Sequence, residues 1–139
     1  VDGGGDMRVA TSTPDAEWPI QVAHPRRETP IGVVKLASGA IATSGDYEWY
    51  FERNGVRYHH ILDPATGRPA RRCLSATVIA ASAVDADALA TGLFVLGPDD
   101  GLELAERSPG VEAMLIGPDL TVRTTAGFPP LTVLGEAGP

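Results

Sequence analysis

Apolar positions in the first half of the chain come in short runs and alternations, and from about residue 83 they change to helical spacing. Met7 to Ala10, fed by the tight turn Gly3-Gly4-Gly5-Asp6, predicts a first strand. Ile20–Ala23 and Ile31–Leu36, divided by Pro25, Arg26, Arg27 and Pro30, predict two strands joined by a loop, and Ser38-Gly39 predicts a turn. A short strand over Ile41–Thr43 then ends at Ser44-Gly45-Asp46. Between Tyr47 and His60, aromatic and polar residues alternate around Asn54-Gly55, a pair that accepts the left-handed conformations of a type I′ turn. That segment predicts a hairpin.

Leu62–Pro69 carries Asp63-Pro64 and Thr66-Gly67, which predicts an irregular turn rather than a ladder. Ser75–Ala80 predicts a strand. Asp85, ahead of Ser82, is the expected cap of a helix running to Leu96, where Gly97-Pro98 stops it, and its apolar content predicts a buried helix. Asp99-Asp100 opens a second, amphipathic helix to about Arg107, with Leu102 and Leu104 packing inward. Val111–Ile116 and Thr121–Thr125 predict a closing hairpin. Hairpin-linked strands outnumber helices and the helices come late. This order predicts an α+β fold, a mainly antiparallel sheet with helices packed on one face. One domain is expected over 1–128, followed by a Pro/Gly-rich tail over 129–139.

Composition changes this picture little. A chain of 139 residues with 43% hydrophobic and 21% charged residues suits one core. A net charge of -7 speaks against nucleic acid as a partner, because such proteins gather Lys and Arg on one face. An acidic protein that handles a phosphorylated ligand needs a divalent cation to offset the charge. The lone Cys73 allows no internal disulfide and is expected to be a small hydrophobe. No apolar run approaches the roughly 20 residues of a membrane span. The opening on Val1 predicts a fragment or processed product, any export signal or lipid anchor lying outside it.

Two segments carry candidate chemistry. Asp87 and Thr91 stand one helical turn apart on one face and offer two oxygens to a hard cation. The bland alternative is that Asp87 favours the helix dipole and Thr91 bonds back to a carbonyl. His59 and His60 lie in an extended segment, so only one can face a given pocket, and the one nearer Asp63 is the candidate proton acceptor or phosphate contact. Tyr47, Trp49, Tyr50 and Tyr58 are expected to pack within the hairpin, and Arg26, Arg27, Arg71 and Arg72 to be solvated loop charges.

The ordered segments Ala42-Thr43-Ser44-Gly45-Asp46-Tyr47, His59-His60-Ile61-Leu62-Asp63-Pro64-Ala65-Thr66-Gly67 and Asp87-Ala88-Leu89-Ala90-Thr91 resemble the ApbE family, the FAD:protein FMN transferases. With Gly4-Gly5-Asp6 and Val111–Ile116, the likeness covers nearly all of the chain and corresponds to the family's later half. The resemblance implies a T-fold-like part of an ApbE-type domain. It also implies an Mg²⁺-dependent enzyme that takes FAD, moves FMN to a Thr or Ser hydroxyl of a target protein and releases AMP. By the same resemblance Asp87 and Thr91 match the metal ligands. His60 matches the histidine of the HxxDPxTG pattern, Asp63 and Thr66 support the loop and flavin site, and Ser44, Gly45 and Asp46 match a turn near the cofactor.

The family's earlier half contributes metal, phosphate and adenine contacts, and nothing of that kind is present ahead of Val1. Another polypeptide is therefore expected to supply it, or the chain is weak or inactive alone. Family habit implies a periplasmic or extracytoplasmic place at the cell envelope. Two alternatives stand beside transfer: an FAD pyrophosphatase giving FMN and AMP, and a non-catalytic flavin-binding or assembly fragment.

Overall fold

In a computed structural model that describes residues 1–133, the chain runs β1 (Met7–Ala10), β2 (Trp18–Val22), β3 (Gly32–Leu36), β4 (Ser38–Gly45), β5 (Tyr50–Arg53), β6 (Val56–His59), β7 (Leu62–Asp63), β8 (Arg68–Pro69), β9 (Ser75–Ala80), α1 (Ala83–Leu96), α2 (Pro98–Glu106), β10 (Glu112–Ile116) and β11 (Val122–Thr124). A five-stranded antiparallel sheet in the order β1-β4-β9-β10-β11 forms the middle layer. Both helices lie on one face, as the order of elements predicts. The β2–β3 hairpin covers the other face, so the strands between are sealed on both sides.

Alternation along β4 and β9 explains how one sheet serves two cores. Ala40, Ala42, Ala76, Val78 and Ala80 face α1, whose Ala86 and Ala90 are fully buried, and these small side chains let the helix sit close. Ile41 and Ile79 point the other way, toward Ile20, Val22, Val34 and Leu36. Phe94 and Leu93, both fully buried, each contribute about 1.5–3 kcal/mol by leaving water.

Several details differ from the sequence expectations. The turn expected at Ser38-Gly39 is the start of β4, paired with Val9 and Ala10, so the strand has eight residues. Ser82, not Asp85, caps α1: its Oγ accepts from the Asp85 amide, satisfying one free N–H of the first turn, and donates to the Asp85 carboxylate. The helix is buried along one stripe only, with Val84, Asp87, Ala88, Thr91 and Gly92 exposed. Its outer face is largely uncharged, and composition alone made that face look internal. In α2, Leu102 packs inward and Leu104 faces water, because residues two apart on a helix point to nearly opposite sides.

The hairpin over 47–60 forms as expected, with Asn54 and Gly55 both at positive φ. Leu62–Pro69 keeps its turn but closes with a two-residue ladder between β7 and β8. Gly97 joins α1 to α2 without a loop. Its N–H donates to Leu93 and ends α1, while its carbonyl accepts from Gly101 and begins α2. With φ at 84°, and Arg72 occupying the space a Cβ would need, that joint accepts only glycine. Cys73 is buried, and burial pushes its thiol up to about 11, in line with a hydrophobe's role. Beyond Gly127, Thr132 pairs with Val33, and Phe128 and Leu131 pack against the second core; residues 134–139 of the expected tail lie outside the described residues.

Candidate functional site

Residues 46–74 leave the sheet and return at one point. Gly45, the last residue of β4, pairs with Ser75, the first of β9, and the Asp46 amide donates to the Leu74 carbonyl. Everything at the β5–β8 hairpins is thus an excursion rooted at the end of the sheet where Ser44 sits.

Ser44 and Thr91 meet there. Their hydroxyls are 2.9 Å apart and hydrogen-bonded, joining β4 to the outer face of α1 across 47 residues of sequence. Asp87 stands one turn earlier on that face, exposed to solvent. Asp6, half-buried at the start of β1, completes the group. Partial burial and then the charges of Asp87 and Asp2 hold its carboxyl above the usual range. Among the described residues neither Asp6 nor Asp87 has a basic partner within ion-pair distance. The unpaired Asp87 carboxylate one turn from the Ser44 and Thr91 hydroxyls offers oxygens of the kind that suit a hard cation such as Mg²⁺, and Asp6 is close enough to feel the charge of Asp87. No group of three or more His, Cys, Asp or Glu converges among the described residues, so the protein's share of such a site is sparse.

Asp46, two residues along, behaves differently. Its carboxylate is buried at 6% exposure and takes both oxygens' bonds from Arg26, each at 2.6 Å, with Arg57 at 3.6 Å. This fork geometry satisfies the carboxylate within the protein. Arg26 is therefore not the solvated loop charge expected from sequence. Gly45 lies under the ring of Tyr47, which would collide with any Cβ there. These two residues shape the neck of the excursion, whereas Ser44 faces the donor set.

His60 is exposed at the end of β6. Its amide donates to the Trp49 carbonyl at 3.2 Å, and its Nδ1 lies 3.4 Å from the same oxygen. A carbonyl can only accept, so this contact selects the Nδ1–H form and leaves the Nε2 lone pair free. Asp63 accepts from the Ala65 amide and Thr66 from the Arg68 amide, so both side chains hold the turn between β7 and β8. Among the described residues no hydrogen bond joins His60, Asp63 or Thr66 directly to Asp87 or Thr91. Chain length only bounds the separation of their anchors. Ser44 holds Thr91 and Trp49 holds His60, and five residues of chain span at most about 18 Å.

A groove of 470 Å³ opens beside His60, lined by Trp49, Phe51, Tyr58, Leu62 and Pro69. Of the aromatics expected to pack in the hairpin, Tyr58 stacks on Phe51 at 5.1 Å and Tyr50 lies 3.9 Å under Arg57, whereas Trp49 stays exposed, which leaves a broad apolar wall. A larger space of 580 Å³ lies elsewhere, at the junction of α1 and α2, away from the candidate residues. Asp6, Arg26 and the Ser44–Thr91 bond carry no local sequence signal that would have marked them together. Only Gly4-Gly5-Asp6, as a turn able to approach a ligand, pointed toward one of them.

The ApbE family model matches residues 1–115. The FAD:protein FMN transferase of Treponema pallidum (strain Nichols) is 44% identical over 127 residues, covering 89% of this chain and 35% of the relative. That of Vibrio cholerae is 41% identical, covering 86% of this chain and 37% of the relative. Among solved structures, the ApbE protein of Thermotoga maritima superposes with a TM-score of 0.81 at 41% identity, covering 90% of this chain and 41% of that one. The flavin transferase ApbE of Vibrio cholerae gives 0.72 at 34% identity, covering 91% and 42%. The chain thus spans well under half the length of the proteins it matches.

Proposed function

The chain belongs to the ApbE family, and from that premise we propose that it forms the cation-holding and proton-accepting part of an Mg²⁺-dependent FAD:protein FMN transferase, which moves FMN from FAD to a Thr or Ser hydroxyl of a target protein and releases AMP. The observation that carries this reading is the exposed Asp87 carboxylate, without a basic partner among the described residues, one turn from the hydrogen-bonded Ser44–Thr91 hydroxyls and close enough to Asp6 for its charge to hold that carboxyl above the usual range. Like charges kept together at a solvent-open site cost stability, and a bound cation removes that cost.

Asp87 and Thr91 would hold the cation, with Ser44 fixing the Thr91 hydroxyl. When bound, Mg²⁺ neutralises the diphosphate of FAD and its developing charge. The Nε2 of His60 takes the proton of the acceptor hydroxyl, whose oxygen attacks the phosphorus on the FMN side. The bond from that phosphorus to the bridging oxygen breaks, and AMP leaves with the oxygen. Asp63 and Thr66 hold the bend, and the exposed wall of Trp49, Phe51 and Tyr58 offers an apolar face on which a flat ring can rest. The rest of the site comes from beyond the matched region, either within a longer protein or on a second polypeptide.

The test supplies FAD, Mg²⁺ and an acceptor protein, and follows flavin fluorescence on the denatured acceptor. Fluorescence that appears with Mg²⁺ and is lost with chelator supports transfer. Free FMN and AMP with an unlabelled acceptor would replace transfer with pyrophosphatase action, and FAD retained intact would leave a binding role.

A further inference from the structure

His59, the neighbour of His60, is the more deeply placed of the two imidazoles, at 7% exposure. Its Nε2 donates to the Ala70 carbonyl at 2.8 Å. Its ring meets Phe94 of α1 edge-on, with centroids 5.6 Å apart and planes at 81°. Phe94 is fully buried and stands three residues beyond Thr91 on the same helix. One residue further along the chain, the His60 amide and ring are held by Trp49. The Ala70 amide donates in turn to the Ile61 carbonyl, so the bend is pinned on both flanks.

We propose that His59 is a positioning residue: its buried imidazole clamps the bend that carries His60 onto helix α1, and so sets the distance between the proton acceptor and the Asp87–Thr91 pair. A hydrocarbon side chain could fill the space beside Phe94 but could not bond Ala70. A flexible polar chain could bond Ala70 but would lack the flat edge that Phe94 receives. Imidazole supplies both; among the described residues its second ring nitrogen, Nδ1, is buried without a partner, so the Ala70 bond is the one that orients the ring. The clamp is distinct from the chemistry itself, since His59 faces the core and His60 faces solvent. Its value lies in geometry: a displacement of about 1 Å in a catalytic group can cost about a hundredfold in rate.

This inference rests on the reading of His60 as proton acceptor, and two readouts separate the fates of the two ideas. In the full-length protein, His59→Phe should move the ring-proton NMR signals of His60 and lower kcat by about tenfold to a hundredfold. The KM for FAD should stay within about twofold, and His59→Gln, which restores a donor, should recover part of the rate. Phe94→Leu provides the second variant should His59→Phe fail to fold, because it removes the edge contact while keeping the space filled; it should shift the same His60 signals. If the His60 signals stay in place in the folded variants, or kcat and KM change only in proportion to lost folded protein, the clamp is overturned. If those signals move while the unaltered protein transfers no flavin, the clamp stands and the transferase reading is what fails.

Discussion

Asp46 and Asp87 are both acidic residues at the same end of the sheet, yet they live in opposite electrostatic worlds. Asp46 is buried and forked by Arg26, with Arg57 behind it; Asp87 stands in water, uncompensated, beside Thr91 and near Asp6. A carboxylate whose charge is answered inside the protein has finished its work on folding. One whose charge is left open is free to meet a ligand, the role proposed for Asp87.

The contrast breaks most sharply at Asp87. Asp87→Ala should lower Mg²⁺-dependent FAD turnover by roughly a hundredfold or more, since several kcal/mol of charge stabilisation depend on the cation. Its unfolding free energy should shift by no more than about 0.5 kcal/mol, the scale of a substitution at an exposed position with no ion pair. Steady-state kinetics and a urea melt on the same preparation check both halves. Asp46→Ala should do the reverse and destabilise by about 3 kcal/mol in that melt, at the low end for a broken buried pair because Arg26 keeps partial access to water. If Asp46→Ala folds normally and Asp87→Ala does not, the division of labour drawn here is inverted.

The smallest effect concerns His24, whose Nδ1 accepts from the Arg26 amide at 3.0 Å beside the Asp46 pair. Burial first, and then the charges of Arg27 and Arg26, hold its imidazole below the usual value of 6.5. The unfolded chain therefore binds a proton that the folded chain refuses, and stability should fall as pH drops below about 6.5 until the folded group also protonates. Melting temperatures across that range should show the decline, and His24→Asn should flatten it.

Local chemistry made much of the fold legible from sequence. Ser75–Ala80 is a run of small and branched apolar residues with clear ends, Asn54-Gly55 permits only a few turns, and Gly97-Pro98 cannot extend a helix. What stayed hidden depends on distance along the chain. The Ser82 cap lost to Asp85 because both residues suit a helix start, and only the backbone placement decides which is outside the first turn. The second layer under the sheet could not be inferred from the β2–β3 pattern, which fits any exposed hairpin equally well.

For the candidate site, the common face of Asp87 and Thr91 was legible because helix geometry fixes it. Ser44 was marked by resemblance, but its bond to Thr91 joins residues 47 positions apart, and no spacing rule reaches that far. Arg26 was misplaced for the same reason: a charge in a Pro-rich loop looks solvated until the fold brings a carboxylate 20 residues away against it.

Gly97 carries a consequence for how such a chain can change over time. Because a single residue ends one helix and starts the next, there is no slack to absorb an insertion. Each added residue would rotate α2 by about 100°, turning Leu102 and Ala105 off the sheet and Leu104 onto it. Homologous sequences should therefore vary freely in length at the tip of the β5–β6 hairpin and hold a constant count across this joint.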